Sequence, residues 1–327
     1  MALERKMPDD TFPCPFCSRP VRPADEVCPS CGKAPVIFGE FRITALLGRG
    51  GMSVIHDAVR LKDGVRVAVK LLKVSGEVDF KAYELFERGS RVLQGLRHEA
   101  LPRIYAHGKV GSARLVQVIE RFDGGNLEQR IAEQGHRLDS REFRRLLERL
   151  LEVLVFLHDQ VPPVLHRDIK PSNIMFRAAD SWDPVLIDFD TVAAPGSQQL
   201  RSTIVVTPGY TAPEQLAGEP SAASEVYSLG TTMLFVAVHA TPDQLPRRKG
   251  RFDVEDLLGM LDPDCRRVLL RMVEPDPERR YPDAKRAIQD LRSPVEQNPA
   301  EKLAVMPEGS ASAKRRVGAN SPWIWIS

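Results

Sequence analysis

The feature that most constrains this chain is a glycine-rich turn between two strand-like runs, with a lysine-bearing strand behind it. Leu47-Gly48-Arg49-Gly50-Gly51-Met52-Ser53-Val54 follows the alternating run GEFRITALL and leads into SVIHDAVRL. Glycines at such a turn let backbone N–H groups approach phosphate oxygens without side-chain obstruction. A third run, VRVAVKLLK, holds Val67-Ala68-Val69-Lys70 and is set off from the second by the hairpin signal Lys62-Asp63-Gly64. Residues 80 to 96 then carry Phe86, Leu93 and Leu96 at helical spacing, and two short strands are expected near 103–107 and 114–119. From about residue 140 the pattern is helical, with Phe143, Leu146, Leu147, Leu150, Leu154 and Leu157 at three- and four-residue steps. A small sheet with one helix therefore precedes a larger helical region.

Three further segments follow the lysine strand: Leu165-His166-Arg167-Asp168-Ile169-Lys170-Pro171-Ser172-Asn173, Ile187-Asp188-Phe189-Asp190 and Ala212-Pro213-Glu214. With the glycine turn and the lysine strand they occur in an order and spacing that resembles a protein kinase domain over residues 40 to 292. The wording GRGGMSV and the short C-terminal lobe are similar to the eukaryotic-like (Hanks-type) Ser/Thr kinases of bacteria. The resemblance implies an α+β, bilobal fold with an N-lobe at 40–119, a hinge at 120–126 and a C-lobe at 127–292. It implies transfer of the ATP γ-phosphate to Ser or Thr hydroxyls of a protein substrate, in signalling, with Mg²⁺ or Mn²⁺ and with autophosphorylation.

The same resemblance assigns expected roles. Gly48, Gly50, Gly51, Ser53 and Val54 would form the phosphate loop; Ala68, Ile119, Glu120 and Phe122 would border the adenine; Lys70 would hold the α- and β-phosphates. Asp188 and Asn173 would ligate the metal ions through hard oxygen donors. Asp168 would orient the acceptor hydroxyl or take its proton, and Lys170 would neutralise the moving phosphoryl group. Glu214 would pair with Arg280 as a structural staple, and Leu229 to Val238 would be the buried central helix of the C-lobe. Ser202 and Thr203 are candidates for autophosphorylation opposite Arg167, ordinary loop hydroxyls being the other reading. Thr207 resembles the substrate-pocket threonine.

The pattern breaks in three places. The family's helix glutamate that pairs with the strand lysine falls nine residues before His98, and that position is Gly89. Glu87 lies about 200° round the helix from it and Glu84 about 140°, so neither substitutes without a register slip. Asp190 replaces a glycine after Asp188-Phe189, and Glu225 replaces the aspartate that braces the catalytic-loop backbone. A pseudokinase that binds nucleotide or a partner is therefore the alternative to an active enzyme.

Ahead of this region, Cys14-Pro-Phe-Cys17 and Cys28-Pro-Ser-Cys31 form two Cys-x-x-Cys turns ten residues apart, with Cys265 alone downstream as an expected core residue. Four thiolates so spaced suit a closed tetrahedral zinc site, and residues 11–35 resemble a zinc ribbon. A redox dithiol is the other reading, and it would favour a single Cys-x-x-Cys opening a helix. The module's cations Arg19, Arg22 and Lys33 face the acids Asp25 and Glu26, which favours protein docking or capping over nucleic-acid binding. With 46 Lys+Arg against 44 Asp+Glu, the net charge of +2 also argues against a nucleic-acid coat or a polybasic membrane binder. The start MALERKMPDDTF lacks a secretory leader and no apolar run is long enough to span a bilayer, so a cytoplasmic location is expected. Residues 1–10 read as an extension, and 293–327, with Lys314-Arg315-Arg316 and the ending WIWIS, as a disordered tail.

Overall fold

In the computed structural model, six of the N-terminal strands form one antiparallel sheet, and two more pair with each other in the cysteine module. The structure describes residues 11–49, 53–72, 80–111, 114–189, 192 and 207–293. The extension 1–10, Gly50, Gly51, Asp190, Ser202, Thr203 and the tail from residue 294 lie outside the described residues. The cysteine module holds two short strands, β1 (Phe12–Pro13) and β2 (Pro20–Val21). The main sheet comprises β3 (Val36–Ile37), β4 (Phe41–Arg49), β5 (Ser53–Arg60), β6 (Arg66–Leu72), β7 (Ile104–Val110) and β8 (Arg114–Glu120), in the order β3-β4-β5-β6-β8-β7. The β5–β6 turn is fixed by Asp63, which accepts from Arg60 and from the Val65 N–H, and by Gly64 at φ +72°. Residues 33–39 show no strand alternation in the sequence, yet they contribute β3, because Ile37 pairs with Phe41 and is fully buried.

Period-two alternation gives β6 two different faces. Val67, Val69 and Leu71 point outward into a cluster that contains Phe12, Cys14, Val21 and Cys28, so the cysteine module covers that face of the sheet. Ala68, Lys70 and Leu72 share the opposite face. There Leu72 meets Phe86 of helix α1 (Phe80–Gly95) together with Leu115 of β8.

The C-terminal lobe is built on α2 (Ser140–His158) and α4 (Ala222–Val238). Both begin with capping boxes, Asp139 with Glu142 and Ser221 with Ser224, which satisfy the first free N–H groups. Helix α4 is buried from Ala223 to Ala237, as its apolar run predicts. A Cβ on Gly230 would lie 2.8 Å from Val273 and 2.9 Å from Met272, so glycine there allows close approach to the end of α5 (Pro263–Met272). Helix α6 (Ala284–Arg292) packs on α2. Between these helices lie the short hairpin β9 (Ile174–Phe176) and β10 (Pro184–Leu186), the turn α3 (Pro213–Leu216), and a second hairpin, β11 (Arg247–Arg248) with β12 (Arg251–Phe252). Cys265 is fully buried in this core.

Candidate active site

The loop between α2 and β9 carries a dense polar network. Asp168 accepts from Lys170 Nζ at 2.7 Å and from Asn173 Nδ2 at 2.9 Å on Oδ2, and from the Thr207 hydroxyl at 2.8 Å on Oδ1. Asn173 Nδ2 also donates to the Asp168 carbonyl at 2.8 Å, and Lys170 reaches Thr207 Oγ1 at 3.2 Å. Four residues separated by up to 39 positions thus meet at one carboxylate. With its amide nitrogen engaged, the Asn173 carbamoyl oxygen is left as a hard oxygen donor of the kind a magnesium ion takes.

This loop is held in a costly backbone shape. Arg167 has φ +71°, a left-handed conformation that costs a non-glycine residue about 1–2 kcal/mol. Buried side chains hold both of its backbone groups: its N–H donates to Glu225 Oε1 at 2.7 Å, and its carbonyl accepts from Gln215 Nε2 at 2.7 Å. The second Glu225 oxygen meets His158 Nε2 at 3.1 Å. The longer arm of Glu225 therefore reaches the loop and has a partner of its own on α2. His166 bonds the Ile187 carbonyl at 2.9 Å and stands edge-on to Phe189, tying the loop to the segment that presents Asp188. Asp188 is itself left-handed, at φ +72°.

Lys70 reaches across the cleft, its Nζ 2.7 Å from Asp188 Oδ1. Burial raises the Asp188 carboxyl, but the charge and hydrogen bond of Lys70 outweigh it and hold the group below the usual carboxylate range. Gly89 is buried in α1, and the helix runs through it without a break. Glu84 is exposed, and Glu87 turns to Arg91 at 3.6 Å and His107 at 3.9 Å. Next to Gly89, Ser90 donates to the Phe86 carbonyl and accepts from Gln117 Nε2 at 2.7 Å, a buried bond that fastens α1 to β8.

The other expected residues that the structure describes lie on the sheet and just beyond its last strand. Gly48 and Arg49 end β4, Ser53 and Val54 open β5, and Ala68 pairs with Ile119 across β6 and β8. Glu120 ends β8, its carboxylate paired with Arg177, and Phe122 is buried just beyond it. Further out, Arg280, 1% exposed, meets Glu214 at 2.5 and 3.2 Å and donates to the Ala223, Glu274 and Pro275 carbonyls.

The four cysteines form a second site. Cys14 Sγ lies 3.8 Å from Cys31 Sγ, Cys17 Sγ lies 3.6 Å from Cys28 Sγ, and all four sulfurs fall within 4.8 Å of one another. A tetrahedron with 2.3 Å metal–sulfur arms has edges of about 3.8 Å, so the cluster fits zinc. The two turns repeat one construction: Cys14 and Cys28 N–H groups bond the Arg19 and Lys33 carbonyls, each at 2.8 Å, and Ser18 and Gly32 take φ +62° and +66°. Burial pushes the Cys14 thiol up to about 12, so a thiolate there needs a cation beside it.

Sequence reasoning had not placed four polar residues that organise these sites: His158, Gln215, His56 and Arg114. His56 Nε2 meets the Pro13 carbonyl at 3.0 Å, and Arg114 donates to the Cys14 and Pro15 carbonyls and to Ser18 Oγ at 3.2, 2.8 and 2.8 Å. These two sheet residues thereby cap the first cysteine turn. The signal for His56 was its position on the apolar register of β5, where it is 1% exposed.

Comparison with known proteins agrees with this geometry. The protein kinase domain family matches residues 41–290. Serine/threonine-protein kinase C of Synechocystis sp. is 32% identical over 274 residues, covering 79% of this chain and 50% of that protein. Serine/threonine-protein kinase B of Synechocystis sp. is 29% identical over 300 residues, with 86% and 51% covered. For serine/threonine-protein kinase PknA of Nostoc sp. the identity is 28% over 273 residues, with 79% and 48% covered. The chain thus spans about half the length of these relatives. By the extent of that match, the chain belongs to the protein kinase domain family.

Proposed function

We propose that the chain is a Ser/Thr protein kinase that transfers the γ-phosphate of ATP to a protein hydroxyl. The observation that carries this reading is the Asp168 carboxylate, held by Lys170, Asn173 and the Thr207 hydroxyl. The Thr207 hydroxyl donates to Asp168 Oδ1, the contact an incoming acceptor hydroxyl needs in order to be oriented and to give up its proton. Lys170 places a positive charge on the same carboxylate, where negative charge moves as the phosphoryl group passes. Lys70 and the β4–β5 turn, including Gly48, Gly50, Gly51, Ser53 and Val54, would hold the phosphates. The adenine would lie against Ala68, Ile119 and the backbone of Glu120 and Phe122. Asn173 and Asp188 would hold Mg²⁺ or Mn²⁺, which supplies neutralisation of the phosphate charge when bound.

The reading divides the chain at 40–119, 120–126 and 127–292, with the thiolate module at 11–35 holding zinc. For that module the capping role has the better support, because its first turn faces His56 and Arg114 of the sheet. A cytoplasmic location belongs to the same reading; among the described residues no helix is long and apolar enough to cross a membrane. The second reading, a pseudokinase, is favoured by one observation, the buried glycine at position 89.

The test is incubation of the zinc-loaded chain with ATP and Mg²⁺ and mixed Ser, Thr and Tyr peptides, with the products mapped by mass spectrometry. Phosphoserine or phosphothreonine on the peptides is the expected result, with Ser202 and Thr203 as the first positions to inspect on the chain itself. Nucleotide binding without any phosphorylated product would establish the pseudokinase instead.

A further inference from the structure

The β11–β12 hairpin breaks two local rules at once. Its turn is Lys249-Gly250, with φ +51° and +80°, the left-handed pair of a tight two-residue hairpin. Lysine in that conformation is disfavoured against glycine or asparagine. The register places Arg248 directly opposite Arg251, and like charges facing each other across strands are destabilising. Arg247, Arg248, Lys249 and Arg251 are all exposed. Partial compensation exists: Arg251 reaches Glu274 at 3.1 Å, and the Arg247 guanidinium lies 3.8 Å from the Phe252 ring centroid. Arg248 and Lys249 have no acidic partner among the described residues, although the exposed Asp253, Glu255 and Asp256 follow directly in sequence. A locally unfavourable cation cluster that the core does not require points to a role in binding.

Its place relative to the site supplies the rest of the argument. Thr207 is bonded to Asp168, and two residues on, Gly209 at φ +83° packs against the loop that leads to the hairpin. A Cβ on Gly209 would lie 3.1 Å from Pro242 Cβ and 3.3 Å from the Asp243 nitrogen. Arg247 follows Asp243 by four positions, at most about 14 Å of chain. An extended peptide with its acceptor hydroxyl at Asp168 that passed over Gly209 would come within reach of the hairpin after several residues.

We propose that this hairpin is a substrate-selecting element that binds an acidic stretch of the protein substrate several residues from the phosphoacceptor. The proposal rests on the kinase reading, and the partner chemistry is that of Asp and Glu carboxylates facing Arg248 and Lys249. Attraction of this exposed kind is screened by salt.

The experiment uses the full, zinc-loaded chain and two Ser-acceptor peptides, flanked on both sides by Glu or by Gln. Phosphorylation kinetics are measured alongside fluorescence anisotropy with Ala-acceptor versions of the same peptides. The expected KM for the Glu peptide is about tenfold below that of the Gln peptide at low salt, converging near 0.5 M salt. The double variant Arg248→Glu/Lys249→Glu should lose this preference with kcat on the Gln peptide unchanged and a melting temperature that does not fall, because the new carboxylate at position 248 would face Arg251. A second variant, Arg248→Thr/Lys249→Gly, relieves both local conflicts and should lose the preference while folding at least as well. Equal KM values in the unmodified chain, or a preference that survives both variants, would overturn the proposal. Should no peptide be phosphorylated, the kinase reading fails and the anisotropy arm decides: Glu-selective binding lost in the variants supports the hairpin, and charge-independent binding refutes it.

Discussion

The two walls of the cleft are braced in opposite ways. On the helical side, the catalytic loop is gripped from within the lobe: Glu225 and Gln215 hold the backbone of Arg167, His158 holds Glu225, and His166 fixes the next segment. On the sheet side, α1 carries a buried glycine at the position where the resemblance expects an acid for Lys70. The outer residues Val67, Val69 and Leu71 of the lysine strand lie in a common cluster with the cysteine module. Packing on the outer face of the sheet can thus brace the lysine strand where no helix acid does so. Under the proposed reading, the wall that carries Asp168 keeps supports within its own lobe, and the wall that carries Lys70 leans on a cover whose four thiols suit zinc.

That contrast can be broken most forcefully at the metal. A structural zinc site of this type contributes folding free energy, and removing the ion leaves four thiols, two of them buried, against the sheet. Chelation should lower the melting temperature by roughly 10 °C, followed by calorimetry with and without added zinc. Hydrogen exchange should rise in β5, β6 and β8 before it rises in α2 or α4. Equal loosening of both lobes would show that the module is no special support of the sheet.

An intermediate effect is expected on the helical wall. Replacing Glu225 with Ala strands the Arg167 N–H and His158, a loss of about 2 kcal/mol for a buried charge-assisted bond. The variant should lose stability and kcat while KM for ATP stays within about twofold, because the proposed reading places most of the ATP contacts on the sheet side. Glu225→Asp should recover much of kcat if the Arg167 contact matters more than the His158 contact. A larger change in KM than in kcat would contradict this division of labour.

The smallest effect belongs to Gly89. Removing a glycine from a helix interior gains about 0.5–1 kcal/mol, so Gly89→Ala should raise the melting temperature slightly if the site accommodates a methyl group. Gly89→Glu offers Lys70 a second acid and should change kcat by only a few-fold, since Asp188 already pairs with the lysine. A hundredfold gain would mean that the missing helix acid, rather than the bracing on the outer face of the sheet, limits the chain.

Much of this was legible in the sequence because the chemistry lies in short contiguous motifs. Asp168, Lys170 and Asn173 sit within six residues, and their mutual bonds follow from that spacing on one loop. The strands β4, β5 and β6 were readable from alternation and from the Asp63-Gly64 turn. The supports were not legible, because each joins residues far apart in the chain: Gln215 to Arg167 across 48 positions, Arg114 to Pro15 across 99. A single exposed-looking Arg or Gln carries no local pattern that distinguishes a cap from a solvated side chain. Strand β3 was missed for a related reason, since two paired residues are too few for periodicity to register.

The most direct test of the central claim is the rate of γ-phosphate transfer by the zinc-loaded chain and by its Asp168→Asn variant, measured side by side on one Ser/Thr peptide. The retained network around Asp168 predicts a fall on the order of 10²–10⁴-fold in kcat, with nucleotide binding preserved. Equal rates in the two proteins, at or near background, would contradict the account and leave the cleft as a binding site alone.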